Sequence, residues 1–221
     1  MLLAVDTSNA QMGLALHDGA QVIGEYAWRS GQRHTVELAP AVSDLLARGG
    51  MKIDEVSALG VALGPGSFTS LRVGLAFVKG LALARNIPLI GIPTLDILAH
   101  ALPVMDRPLG VAIQAGRGRF ALGWYQNSGN RWQARGAGRV VSLEALQDEV
   151  QSPSVICGEF SAQERQPFES NARVQLISPA ESIRRPSVLA QLAWTRLRNG
   201  EADDAASLAP IYLHTAAPIA S

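Results

Sequence analysis

The sequence predicts an α/β protein built in two halves, each opening with strands and continuing with helices. Three observations carry this. Short apolar runs of strand length alternate with helical stripes through the first hundred positions. The same order begins again near position 108. A chain of 221 residues has room for two lobes of roughly 100 residues each. Hydrophobic residues make up 48% and charged residues 17%, enough apolar material for a real core.

Residues 2–5 read as a buried strand that stops at Asp6-Thr7-Ser8. Met12, Leu14 and Leu16 then alternate with smaller residues, and Asp18-Gly19 turns the chain into a third strand at 21–28. A helix follows, with Leu38, Val42, Leu45 and Leu46 on one face and Gly49-Gly50 as its stop. Next come a strand at 56–63, a glycine turn, a helix near 69–85, a strand at 88–92 and a helix capped by Thr94. The order is β-β-β-α-β-α-β-α.

The chain crosses into its second half at 103–108. Strands are expected at 109–113 and 120–125 around the glycine-rich turn 116–118. Residues 128–130 mark a surface turn. Val140 and Val141 lead to a helix at 143–150, then strands at 154–157 and 174–177. A longer helix follows Pro186, with Val188, Leu189, Leu192, Ala193 and Leu197 on its stripe. This half reads as a decayed repeat of the first, dividing the chain into 1–103 and 104–221.

Basic and acidic residues balance at 19 each, so no global field recruits nucleic acid or an anionic membrane. Only Lys52 and Lys79 are lysines; the rest of the positive charge is arginine. The single cysteine, Cys157, excludes an intramolecular disulfide and fits a reducing cytosol. Its apolar neighbours, Val155 and Ile156, suggest a buried inert thiol. Asp6 ends the first apolar run too early for a signal peptide, and no run approaches the roughly 20 residues of a membrane span. A soluble, cytoplasmic protein is expected.

The most informative run is 64–74, Gly-Pro-Gly-Ser-Phe-Thr-Ser-Leu-Arg-Val-Gly. It joins a strand to a helix N-terminus, where Ser67, Thr69 and Ser70 are each able to cap. Such an end favours an anion or a partner's carboxylate. It serves equally as a plain structural turn, and it is not the Gly-x-x-x-x-Gly-Lys-Ser/Thr pattern of a P-loop. Asp6 is read as orienting a cation or capping a loop. His34 is a surface histidine, or pairs with Glu37, or touches a partner. Arg72 opposes the dipole of its own helix, so it is either solvated or meets a partner's carboxylate or phosphate. Arg184-Arg185 reads as a solvated loop. No Ser-His-Asp arrangement and no Cys/His cluster stands at informative spacing.

The helix at 69–85 is apolar or small over most of its circumference. Leu71, Val73, Leu75, Phe77, Val78, Leu81 and Leu83 cannot all face one sheet at about 100° per residue. Gly74, Ala76, Gly80 and Ala82 would allow another helix close. A two-helix platform is therefore expected as a partner interface, formed by His34, Leu38, Val42 and Leu45 with Arg72, Val73, Phe77 and Leu81.

Leu3-Ala-Val-Asp-Thr-Ser8, Arg33-His34 with Leu38 and Pro40, Gly64 to Gly74, Ile90-Gly-Ile-Pro-Thr-Leu-Asp96 and Pro210-Ile-Tyr-Leu213 together resemble the TsaB family. This is the partner subunit of bacterial tRNA threonylcarbamoyladenosine biosynthesis. The resemblance is dense to about residue 102 and thin through 115–180. It implies an actin-like, sugar-kinase-like fold of two ribonuclease-H-like lobes around a cleft, the second lobe decayed. In that superfamily Asp6, Thr7, Ser8, Gly64, Pro65, Gly66, Ser67 and Thr69 would be the phosphate or nucleotide contacts.

The resemblance further implies a non-catalytic subunit for threonylcarbamoyl transfer to adenosine 37 of ANN-decoding tRNAs. It would form a heterodimer with the metal-dependent catalytic paralogue TsaD, be joined by the ATPase subunit TsaE, and meet tRNA only through the complex. Alone it would be a homodimer. The His-x-x-x-His metal pair of TsaD falls on Thr94 and Leu98, neither a useful ligand. The remaining histidines, His17, His34, His100 and His214, form no i,i+4 pair. In the second half, the family's acidic residue followed by Ala-Arg is Gln114-Ala115-Gly116 here, and its Gly-Asp-Gly is Gly158-Glu159-Phe160, where the bulky Phe160 would hinder a phosphate. No cofactor is then expected on this chain alone, with ATP and a metal in the partner complex. The alternative is an independent ATP-dependent phosphotransferase or metallopeptidase of the same fold.

Overall fold

The structure, a computed structural model, describes residues 1–213. It contains two compact units. The first holds a five-stranded sheet of β1 (Leu2–Asp6), β2 (Gln11–His17), β3 (Val22–Arg29), β4 (Ala58–Ala62) and β5 (Leu89–Ile92), in the order β3-β2-β1-β4-β5. β1 runs antiparallel to β2 and parallel to β4, with Val5 opposite both Leu14 and Val61. β1 and β4 are buried at every position, as central strands covered on both faces must be. β3 lies at the edge and is half-exposed.

One face of this sheet is covered by α1 (His34–Arg48) and α2 (Phe68–Arg85). Leu38, Val42, Leu45 and Leu46 of α1 join Leu75, Val78 and Ala82 of α2 over Leu3, Val5, Leu14 and Val61. α2 ends at Asn86, whose left-handed φ of 50° turns the chain so that the next N–H, that of Ile87, also reaches the Ala82 carbonyl, at 3.2 Å. A short α3 (Thr94–His100) follows β5.

The second unit has a six-stranded sheet: β6 (Leu109–Gln114), β7 (Arg119–Asn127), β8 (Trp132–Ala134), β9 (Arg139–Ser142), β10 (Ser154–Gly158) and β11 (Val174–Leu176). Its order is β11-β10-β6-β7-β8, with β9 also paired to β7. β6 is antiparallel to β7 and parallel to β10, as β1 is to β2 and β4. The repeat expected from the sequence is thus present in the topology. Its helices are reduced: α4 (Leu143–Asp148) has 6 residues and α5 (Ala162–Glu169) has 8, against 15 and 18 for α1 and α2.

The expected boundary at 103/104 needs one correction. The last helix, α6 (Pro186–Arg198), belongs to the first unit. Leu189, Ala190 and Ala193 pack on Leu2, Ala4, Ala58 and Ile90, covering the face of the first sheet opposite α1 and α2. Chain order separates this helix from its sheet, whereas complementary apolar faces unite them. α5, β8 and β9 are additions to the expected elements.

Candidate functional site

The ends of β1 and β4 meet as the sequence anticipates, but their polar groups are turned on one another. Asp6 is buried. One carboxylate oxygen accepts from the Ser8 N–H at 2.8 Å and the Ser8 hydroxyl at 2.5 Å. The other accepts from Arg184 Nε at 2.9 Å, and the Arg184 side chain is itself 1% exposed. Arg184 is therefore no solvated loop residue. It is the internal cation of Asp6, recruited from 178 positions away.

Thr7 is tied equally firmly. Its hydroxyl donates to the Ser70 carbonyl at 2.7 Å and accepts the Gly74 N–H at 3.1 Å. It thus inserts across an i,i+4 pair that an uninterrupted helix bonds directly. Gly74 is required for this approach, since a Cβ there would lie 2.3 Å from the threonine oxygen. The Ser8 carbonyl accepts the Ser67 N–H at 2.7 Å, and a Cβ on Gly66 would fall 2.1 Å from that same carbonyl oxygen.

Gly64 and Pro65 are buried and joined by a cis peptide bond. The Gly64 N–H donates to the Thr94 hydroxyl at 2.9 Å, and the Thr94 N–H returns a bond to the Gly64 carbonyl at 2.8 Å. Ser67 is the N-cap of α2 but makes no side-chain capping bond; its hydroxyl accepts from Ser70 instead. Thr69 is exposed and lines a different surface.

A nucleotide phosphate does not fit this corner. The space beside Gly66 is filled by Ser8, and the Asp6 carboxylate is spent on Arg184 and Ser8. A transition metal fits no better at the position expected from the resemblance: the Thr94 hydroxyl is engaged by Gly64, and Leu98 has no donor atom. The matching end of β6 is also self-satisfied. Gln114 donates from its backbone to the Glu159 carboxylate at 3.2 Å and from its side chain to the Glu159 carbonyl at 3.1 Å and to Glu164. Phe160 lies between Phe120 and Phe168, with ring centroids 5.2 and 5.1 Å away, as part of the core.

The histidines are structural where the structure describes them with partners. His17 accepts the Gly19 N–H at Nδ1, leaving Nε2 to donate to Gln191. His34 is buried and its Nε2 donates to the Asn9 carbonyl at 2.9 Å, so it is not the surface histidine expected. Glu37 pairs with Arg33 and accepts from the Trp28 indole; that indole bond is the main cause holding its carboxyl below the ordinary range. His214 lies outside the described residues. Burial raises the Cys157 thiol to about 11, in keeping with an inert group.

An open, apolar surface lies elsewhere in the first unit. A groove of about 520 Å³ runs between α1 and the first half of α2. Val73 and Phe77 are its half-buried floor, and Thr35, Ala39, Phe68, Thr69, Arg72 and Ala76 are its exposed walls. The Arg72 guanidinium lies 3.7 Å over the Phe68 ring, which is 54% exposed. Val36 and Leu83 are also exposed.

This corrects half of the expected interface. Leu38, Val42 and Leu45 are buried in the core beneath α1, and His34 is buried with them. A single apolar stripe on an amphipathic helix is consumed by its own sheet. Leu81 is half-buried against that core. Arg72, Val73 and Phe77 do reach the groove. Ala76, expected to admit a second helix, is on the groove wall; Phe68, Thr35 and Ala39 were missed, although an aromatic at the first helical position was a legible sign of an open face.

The chain as a whole is similar to known proteins. The family model described as TsaD, tRNA N6-adenosine threonylcarbamoyltransferase, matches residues 28–214. The tRNA threonylcarbamoyladenosine biosynthesis protein TsaB of Bacillus subtilis is 32% identical over 97% of this chain and 94% of its own length. The protein of that name from Escherichia coli is 30% identical over 69% of this chain and 67% of its own. The structure of YeaZ from Pseudomonas aeruginosa superposes with a TM-score of 0.75 at 25% identity, covering 96% of this chain and 99% of that one. Matched by the TsaD model over most of its length and aligned with a TsaB relative almost end to end, the chain belongs to the TsaB family within the wider TsaD-type group.

Proposed function

We propose that this chain serves tRNA threonylcarbamoyladenosine biosynthesis as a non-catalytic subunit that docks a TsaD-type catalytic paralogue through the α1–α2 groove. Family membership supports the pathway. One observation carries the role: the polar corner where a catalytic relative would hold a ligand is closed on itself, while the apolar groove beside it is open. An independent phosphotransferase or metallopeptidase needs a free carboxylate or a metal-binding pair. Asp6 is fully engaged, and positions 94 and 98 are threonine and leucine.

The partner we favour is a chain of the same fold, because such a chain brings its own α1–α2 pair and completes a four-helix layer about a pseudo-two-fold axis. In its absence a second copy of this chain takes that place, giving a homodimer. The ATPase subunit TsaE joins the assembled complex, which handles the tRNA, and ATP and metal are held by the other chains. Among the described residues no helix is long and apolar enough to cross a membrane, in keeping with action in the cytoplasm.

The test is copurification with the catalytic paralogue and assay of tRNA modification, comparing the unaltered chain with Ala76→Glu. Ala76 is exposed on the groove wall. The reading requires a folded variant that neither binds the paralogue nor supports modification. Intact binding and modification refute it.

A further inference from the structure

The second unit carries a polar pocket of about 390 Å³ that the proposed docking role leaves unused. Trp124, Arg135, Arg139, Glu149, Ser152 and Ser154 line it. The Trp124 indole N–H donates to the Glu149 carboxylate at 2.9 Å, and Arg139 pairs with the same carboxylate. The backbone N–H of Arg135 is fixed on the Trp124 carbonyl at 2.8 Å. One carboxylate therefore organises one arginine and an indole, and a second arginine is positioned beside them.

Two further arginines adjoin lining residues through the backbone. Arg107 precedes Pro108, which lines the pocket, and the Arg173 carbonyl accepts from Ser154 at 2.9 Å. Arg107, Arg135 and Arg173 are all exposed. No side-chain partner engages any of the three among the described residues. Residues 107–139 hold six arginines, 107, 117, 119, 131, 135 and 139, and no Asp, Glu or Lys. The chain is neutral overall, but this stretch is not. Charges flanking an edge strand, as Arg131 and Arg135 flank β8, also discourage unwanted pairing. That reason does not extend to Arg107, which leads into the central strand β6.

We propose that this arginine-framed pocket binds the sugar–phosphate backbone of RNA, and that through it the chain contacts directly the tRNA handled by the complex. This rests on the pathway reading above. Guanidinium groups suit phosphate because they are always charged and present a planar fork of donors. The Trp124 ring offers a stacking surface for a base.

The experiment measures tRNA binding by the complete assembly as a function of salt concentration, with Arg107→Ala/Arg135→Ala/Arg173→Ala in this chain. Arg139 is left in place because it holds Glu149. Arg198→Ala, an exposed arginine of α6, controls for net charge. Loss of three phosphate contacts should lower the slope of log affinity against log salt by about 2–3 and weaken binding at least tenfold. Binding to the catalytic paralogue should be unaltered, and Arg198→Ala should change little. An unaltered slope and affinity in the triple variant, with the assembly intact, overturns the contact and leaves the pathway reading standing. An assembly that binds no tRNA, substituted or not, overturns both. Displacement of tRNA from the assembly without any dependence on these three arginines overturns the contact alone.

Discussion

Helices α1 and α2 cover the same face of the same sheet, yet they use their apolar residues in opposite ways. α1 has one stripe, and all of it is buried. α2 buries Leu71, Leu75, Val78 and Ala82 while leaving Phe68 and Leu83 exposed. A helix with one stripe is satisfied by its own domain, whereas one with two is unfinished until something else covers it. On the docking role proposed above, the difference puts the interface on α2 and on the rim of α1, not on the α1 stripe.

The sharpest way to break this comparison is Val42→Glu. The side chain is 4% exposed within the core, so a carboxylate there is buried without a partner. Destabilisation of about 4 kcal/mol or more is expected, read as loss of cooperative unfolding or a large drop in Tm. A folded Val42→Glu variant defective only in partner binding would return α1's stripe to the interface.

Arg184→Ala ranks next. It strands the buried Asp6 carboxylate and should cost about 3–5 kcal/mol in denaturant unfolding. The double change Asp6→Asn/Arg184→Met should recover much of that loss. Neither variant should gain ATP affinity, which calorimetry would check, because Ser8 still fills the space beside Gly66.

Ala76→Glu should leave Tm within about 1 °C while weakening association with the paralogue by about 2 kcal/mol or more. Sedimentation and titration on the same sample separate the two effects. Smallest of all is the response at Cys157. With its thiol raised to about 11, the thiolate is scarce below that pH. The native protein should resist alkylation at pH 8 and react only on unfolding, as mass spectrometry would report.

Much of the fold was legible because it is written in local periodicity. The stripe of α1, the three opening strands and the stop at Gly49-Gly50 each depend on neighbours within one turn or one hairpin. α5 was missed because its run is polar and contains Pro167, although Ser161 and Glu164 form a reciprocal cap that the Ser-x-x-Glu spacing announces. The candidate site was less legible. The meeting of Asp6 with the glycine turn followed from the family resemblance, but Arg184 carries no local sign of its destination. A pair of charges 178 residues apart is chosen by burial and geometry, and both emerge only when the last helix docks. The direction of α1's stripe was misread for a related reason: periodicity gives a face, and only the sheet decides what that face meets.

The return of α6 to the first sheet sets a timetable for synthesis. Until residue 198 or so has left the ribosome, the sheet has α1 and α2 on one side and, from its own unit, only Ile97 of the short α3 on the other. Leu2, Ala4 and Ile90 are then wetted, and Asp6 waits for its arginine. The first unit's sheet is thus made before its last covering helix, so until α6 emerges a nascent chain presents a largely uncovered apolar sheet face to chaperones. Deleting α6 should therefore damage first the β1–β5 sheet, formed by residues about a hundred or more positions earlier.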